Sequence, residues 1–146
     1  MSGPVFVDTN VIVSARDGRF PTQQRHCEAW LKALAARRMM VISVQVLKEH
    51  RNALRRKLQL DDATAHSATR ALFHWCTAPL DVAEVARAMD IERDYRTSWW
   101  DALIIASAKA AGCGFLLTED AQWAATIAGV RIIDPSTAPE AVLGAA

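Results

Sequence analysis

Four short runs dominated by apolar residues punctuate this chain: PVFV (4–7), MMVI (39–42), GFLLT (114–118) and VRIID (130–134). They are too brief for helices and lack the strict polar alternation of a strand with one wet face. Each therefore reads as a strand buried on both sides. Longer segments of helical period separate them. In TQQRHCEAWLKALAARR (22–38), Cys27, Trp30, Leu31 and Leu34 recur at helical spacing behind Thr22 as cap. Ser43 is placed to cap VQVLKEHRNALRRKLQL, with Leu47, Leu54 and Leu58 along one side, and Asp61 to cap DATAHSATRALFHWC. Further helices are expected over 82–96, from Ser98 to a stop at Gly112, and over 121–128 ended by Gly129. A weaker strand is expected around Pro79–Val82. Strands alternating with helices predict an α/β fold, a central parallel sheet of about five strands flanked by helices.

The 146 residues, 51% of them hydrophobic and 23% charged, suffice for one domain with a substantial core. We expect a single domain over 1–146, with an Ala-rich, weakly specified tail at 135–146. A net charge of +1 does not announce a nucleic-acid binder, so any basic surface must come from local clustering. The three cysteines, Cys27, Cys76 and Cys113, are widely spaced with no C-x-x-C pair, which argues against a disulfide framework or a zinc site. The histidines His26, His50, His66 and His74 lack metal-ligand spacing, and most of them are expected at the surface or its boundary. MSGPVFVD has neither a basic n-region nor an apolar h-region, and ALIIASAKAAGCGFLL is interrupted by Lys109 and two glycines. A cytoplasmic protein is the expectation.

Carboxylates stand where such a fold gathers ligands, at the carboxyl ends of its strands. Asp8 ends the first strand, Glu119 and Asp120 follow GFLLT, Glu49 lies in the helix after MMVI, and Asp101 lies early in the helix that feeds GFLLT. Each has an ordinary explanation taken singly. Asp8 or Asp120 can cap a helix, Asp101 fits the capping box SWWD, and Glu49, about 200° around its helix from Leu47, can simply be solvated. Asp101 strains that explanation, because its helix carries Trp99, Trp100, Leu103, Ile104 and Ile105 and reads as buried. Several carboxylates in one cleft repel one another, and a divalent cation relieves the conflict. Oxygen ligands without Cys or His point to Mg²⁺ or Mn²⁺.

VFVDTNVIVSA, ISVQVLKEHRNAL, SWWDALIIASAKAAGC and LLTEDAQ, in this order and spacing, resemble the four signature blocks of PIN domains and span residues 5–122. The chain's size resembles that of VapC-type toxins of toxin–antitoxin modules. The resemblance implies a PIN-like fold and a metal-dependent ribonuclease. It matches Asp8, Glu49, Asp101 and Asp120 to the family acids, with Glu119 the alternative for the fourth, and Asn10, Ser98 and Thr118 to the auxiliary polar positions. The acids would hold Mg²⁺ or Mn²⁺, which would activate a water for in-line attack on a phosphodiester. Ser98 or Thr118 would orient that water or an aspartate. An RNA substrate, a cognate antitoxin protein and homodimerisation follow from the same resemblance.

Arg51, Arg55, Arg56 and Lys57, with Arg37 and Arg38 on the preceding helix, form a candidate RNA track or an ordinary solvated face. Trp99 and Trp100 are expected in the core or against a partner rather than under bases. A phosphoreceiver would want an acidic pair after the first strand, and a haloacid-dehalogenase-like phosphatase D-x-D, where this chain has Asn10. The other alternative is a PIN-like interaction module without catalytic activity.

Overall fold

A computed structural model describes residues 3–120 and 126–144. The strands are β1 (Val5–Val7), β2 (Met40–Val41), β3 (Phe115–Leu117), β4 (Thr126–Ile127) and β5 (Val130–Ile133). They form one sheet in the order β2-β1-β3-β5-β4. All pairings are parallel except β4 against β5. In the interior strand β1, Val5, Phe6 and Val7 are fully buried, as an apolar run without alternation requires. The helices are α1 (Thr9–Ser14), α2 (Pro21–Ala36), α3 (Val44–Arg56), α4 (Asp62–Arg70), α5 (Val82–Tyr95), α6 (Trp99–Ala110) and α7 (Pro139–Leu143). α1 packs on α2 and α3, α4 on α3, and α5 along α6. Phe6, Trp30, Leu34, Ile42, Leu54, Ile105 and Leu117 fill the core between helices and sheet. Among the described residues no helix is long and apolar enough to cross a membrane.

Several local expectations are corrected. Pro79–Val82 is not a strand: Asp81 accepts from the Val82 amide, and Glu84 accepts from the Asp81 amide at 2.8 Å, which opens α5 with a capping box. The remaining pairing beyond β2 is a single parallel bridge, Ile42 to Cys76. Of the helix expected over 121–128, residues 121–125 lie outside the described residues, and Thr126–Ile127 are strand. Ala128 (φ 52°) and Gly129 (φ 86°) are both left-handed, the geometry of a tight hairpin between β4 and β5. Alanine rarely adopts that conformation, so Ala-Gly gave a weak turn signal.

Thr22 is not the cap of α2, which starts on Pro21 without a side-chain cap bond. Ser43 stands at the N-cap of α3, but its buried hydroxyl has no partner among the described residues. Asp61 does cap α4, accepting from the Thr64 amide at 2.7 Å. His50 is the histidine that is buried, hydrogen-bonded to Thr69 Oγ1 at 2.9 Å and joining α3 to α4. Burial and the nearby Arg16 charge push its imidazole down to about 4. The tail is tied to α2, where Trp30 Nε1 donates to the Thr137 carbonyl at 2.7 Å and α7 packs.

Candidate active site

The chain leaves β1 toward β2 on one side, and β3 returns on the other. The crevice above the carboxyl ends of β1 and β3 is therefore a topological switch point, where α/β sheets bind ligands. A cleft of about 930 Å³ opens there. Asp8, Glu49, Asp101, Glu119 and Asp120 all line it.

Asp8 does more than cap α1. Its Oδ1 accepts from the Thr9 amide at 2.7 Å, and its Oδ2 accepts from Thr118 Oγ1 at 2.8 Å. The side chain is nearly buried, and burial pushes its pKa up to about 6. The two hydrogen bonds oppose that rise, while the charges of Glu49 and Asp101 add to it. Thr118 uses its full capacity. Besides donating to Asp8, it accepts from the Asp120 amide at 3.1 Å and from Asn10 Nδ2 at 3.3 Å. Asn10 also reaches Asp120 Oδ2 at 3.4 Å and accepts from the Glu119 amide at 3.2 Å, stitching α1 to the end of β3. Thr9 Oγ1 donates to Glu49 Oε1 at 2.9 Å and fixes the acid of α3.

Asp101 is held differently. Ser98 caps α6, its Oγ accepting from the Asp101 amide at 3.1 Å. The Asp101 carboxyl is half-buried and has no ion-pair partner among the described residues. Burial raises its pKa, a hydrogen bond from Ser98 lowers it, and the Asp120 charge raises it. Asp101 and Asp120 thus feel each other across the cleft. Glu119 turns the other way, accepting from Ser14 Oγ at 2.9 Å, from Gln23 Nε2, and from Cys27 Sγ at 3.6 Å. The Cys27 thiol, pushed up to about 12 by burial and by Glu119, stays protonated as a donor.

Of the basic residues, Arg56 and Lys57 line the cleft, about two helical turns beyond Glu49. Arg51 and Arg55 face α4 instead, paired with Asp62 at 3.6 and 2.9 Å. Arg37 and Arg38 precede β2, at the edge where the parallel strands begin, and Arg37 bonds the Gly144 carbonyl. Arg19, not singled out from the sequence, also lines the cleft and pairs with Asp17 at 2.8 Å. Thr9, Ser14 and Gln23 were missed as well. Thr9 was signalled only by adjacency to Asp8, and nothing local marks Gln23, whose partner lies 96 positions away. Trp100, expected in the core or against a partner, is 62% exposed and so is not a core residue.

A model of the PIN domain matches residues 5–128. The chain belongs to the PIN-domain family. No curated protein matches it by sequence. Among solved structures it is similar to a chain of a toxin–antitoxin complex from Klebsiella pneumoniae, at 19% identity and TM-score 0.67 over 90% of this chain and 97% of that one. It is similar also to a chain of DNA-bound VapBC from Salmonella typhimurium (16%, TM-score 0.68, covering 92% and 99%). A chain of VapBC2 from Rickettsia felis, bound to a promoter DNA fragment, gives 15% and TM-score 0.65, covering 89% and 97%. At these identities the likeness is one of fold.

The acids of this PIN domain suit a hard cation in donor chemistry, since the acidic wall is all carboxylate, with no His or Cys lining the cleft. Among the described residues, however, no three His, Cys, Asp or Glu side chains are gathered tightly enough to ligate one ion together. Mg²⁺ keeps several waters and takes one or two carboxylates directly, so such an ion does not require three protein ligands at once.

Proposed function

We propose that this PIN domain, working as one unit over 1–146, is a divalent-metal-dependent endoribonuclease and the toxin of a toxin–antitoxin pair. The observation that carries the reading is the single cleft that joins Asp8, Glu49, Asp101 and Asp120 to Arg56 and Lys57. Acids that repel one another in a half-buried crevice call for a cation, and cations further along the same helix suit a flanking phosphate. The RNA substrate and Mg²⁺ or Mn²⁺ rest on the family. The antitoxin partner rests on the toxin–antitoxin complexes among the fold's neighbours.

Asp8, Glu49 and Asp101 are the proposed holders of the ion, one or two of them directly and the rest through its bound waters. Asp120 is the fourth acid rather than Glu119, because Ser14, Gln23 and Cys27 already occupy the Glu119 carboxylate. A divalent cation bound there supplies Lewis acidity, neutralising charge on the phosphodiester and lowering the pKa of a water. The chain's own work is positional. Thr118 and the Thr9 amide aim Asp8, Thr9 aims Glu49, and Ser98 sets the first turn that carries Asp101. Arg56 and Lys57 take the neighbouring phosphates. Hydrolysis forms a bond from water oxygen to phosphorus and breaks the bond to the leaving oxygen, which takes up a proton.

A second reading, an interaction module without activity, draws on the spacing of the carboxylates. Cleavage of a mixed RNA pool with Mg²⁺ or Mn²⁺ separates the two, with EDTA and Asp101→Asn as controls and with any bound partner removed. Discrete fragments lost in both controls are expected. In parallel, either ion should raise the melting temperature of the unaltered protein but not of Asp8→Ala/Asp101→Ala. Equal shifts in both proteins would remove the metal site from the proposal.

A further inference from the structure

Trp100 separates two cavities. On one side is the acid cleft. On the other, between α3 and α6, lies a groove of about 410 Å³ lined by Val44, Gln45, Lys48, Leu80, Trp100 and Leu103, with Glu49 shared between the two. Its size falls within the roughly 300–1,000 Å³ of small-molecule sites. We propose that this groove is a base-binding subsite, in which the indole of Trp100 stacks on a nucleobase of a single-stranded RNA stretch beside the phosphate held in the acid cleft. The inference rests on the ribonuclease reading above and names how that site would choose its substrate.

Three observations carry it. Trp100 is the neighbour of Asp101 in the first turn of α6 and is 62% exposed, while Ala102 through Ala108 are buried. An indole left in water at the mouth of an acid cleft gains by covering a flat apolar partner, and every base offers one. The groove also adjoins the cleft, sharing Trp100 and Glu49 with it, so a polymer with one phosphate among the acids can place its next residue there. Lys48 at its rim supplies a positive charge for that residue's own phosphate.

The third observation separates a base from an apolar side chain of a protein partner. Gln45 is 8% exposed, its Nε2 donates to the Trp100 carbonyl at 3.4 Å, and its Oε1 has no hydrogen-bond partner among the described residues. A buried acceptor without a donor is unfavourable. The N–H edge of a base could satisfy it once the amide turns toward the groove, whereas a leucine or phenylalanine could not. Unstacked bases read by aromatic platforms and by their polar edges are the usual route to sequence preference in RNA.

The test uses an oligoribonucleotide spanning the cut mapped in the RNA pool, and a set of copies each lacking one base near the cut. Unaltered protein, Trp100→Ala and Trp100→Phe are compared by kcat/KM, with melting temperatures checked for each. At one position, removal of the base should slow the unaltered protein about 5- to 100-fold, the range for loss of one base–aromatic stack. Trp100→Ala should slow the intact oligonucleotide by a similar factor and show little further loss at that same position, while Trp100→Phe keeps most of the rate. Losses that multiply at every position would mean that Trp100 acts only through the fold, and the proposal falls. It falls equally if Trp100→Ala cuts as fast as the unaltered protein. Normal cutting by Trp100→Ala with lost retention of a co-purifying polypeptide would assign the groove to a protein partner instead. If the unaltered protein cuts no RNA at all, the ribonuclease reading fails and takes the subsite with it, an outcome distinct from the others.

Discussion

Asp8 and Asp101 line one cleft, the first at the end of β1 and the second in the first turn of α6, and the protein treats them differently. Asp8 is nearly buried, with both carboxylate oxygens committed to Thr9 and Thr118, and the network runs on through Asn10 to Asp120 and the Glu119 amide. Asp101 is half-buried on a helix whose neighbouring residue, Trp100, is largely exposed at the mouth of the cleft. One wall is pre-set by hydrogen bonds that exist before any ligand arrives. The other keeps a carboxylate with no ion-pair partner among the described residues and an uncovered ring. Rigid acceptors on one side and unsatisfied groups on the other suit a site that must hold its chemistry still and still admit a varied polymer.

The largest expected effect tests whether both walls take part. Asp8→Asn and Asp101→Asn should each lower RNA cleavage by at least about 100-fold, the upper end for partners that merely orient a metal ligand. A loss confined to Asp8→Asn would reduce Asp101 to a bystander. Next comes the network itself. Thr118→Val removes the donor to Asp8 and the acceptor for Asn10 and the Asp120 amide, and should cost about 10- to 100-fold in kcat with the fold retained.

The two acids should separate more clearly in stability. The folded-state pKa of Asp8, about 6, lies above its ordinary 3.8 because burial disfavours the charged form. Its protonation therefore favours the fold: that contribution is full below about pH 4 and is lost as pH rises through about 6. Asp8→Asn should stabilise the metal-free protein by about 2 kcal/mol at pH 7.5 and by almost nothing at pH 4, read from urea midpoints. Asp101→Asn should act in the same direction and by less, since its carboxyl is more exposed. His50 works the opposite way. Its pKa of about 4 is below the ordinary 6.5, so its contribution is present above pH 6.5 and fades as pH falls toward 4. Comparing each variant with its parent at the same pH cancels that background.

The smallest effect concerns the arginines of α3. Arg56→Ala with Lys57→Ala should make the salt dependence of RNA binding shallower, by about 0.7 in slope for each phosphate no longer neutralised. Arg51→Ala with Arg55→Ala should leave the slope unchanged, because both face α4, paired with Asp62, and neither lines the cleft, and should cost only about 0.2–1 kcal/mol per exposed ion pair.

Much of this was readable from the chain. Val5–Val7, Phe115–Leu117 and Val130–Ile133 are strands because uninterrupted apolar runs between helical segments have few other stable placements. The same alternation set the parallel sheet, and the position of Asp8, Thr118 and Asp120 at strand ends followed from it. What misled was local. Asp81 with Glu84 turned an expected strand into a helix start, and a left-handed alanine made a hairpin that no dipeptide rule would mark. For Trp100 the core alternative fails, because a helix apolar all round reads as buried throughout, whereas here the burial begins only at Ala102.

Sequence periodicity and the residues at strand ends thus determined the fold and brought five carboxylates to one edge of the sheet. Tertiary structure alone decided their states. Glu119 rather than Asp120 met Ser14, Gln23 and Cys27; Arg55 rather than Arg56 met Asp62; Thr118 rather than water met Asp8. The Glu119 and Asp8 partners lie many tens of residues away, and Arg55 is chosen by which side of α3 faces α4; no local pattern of apolar and polar residues encodes that distance or direction.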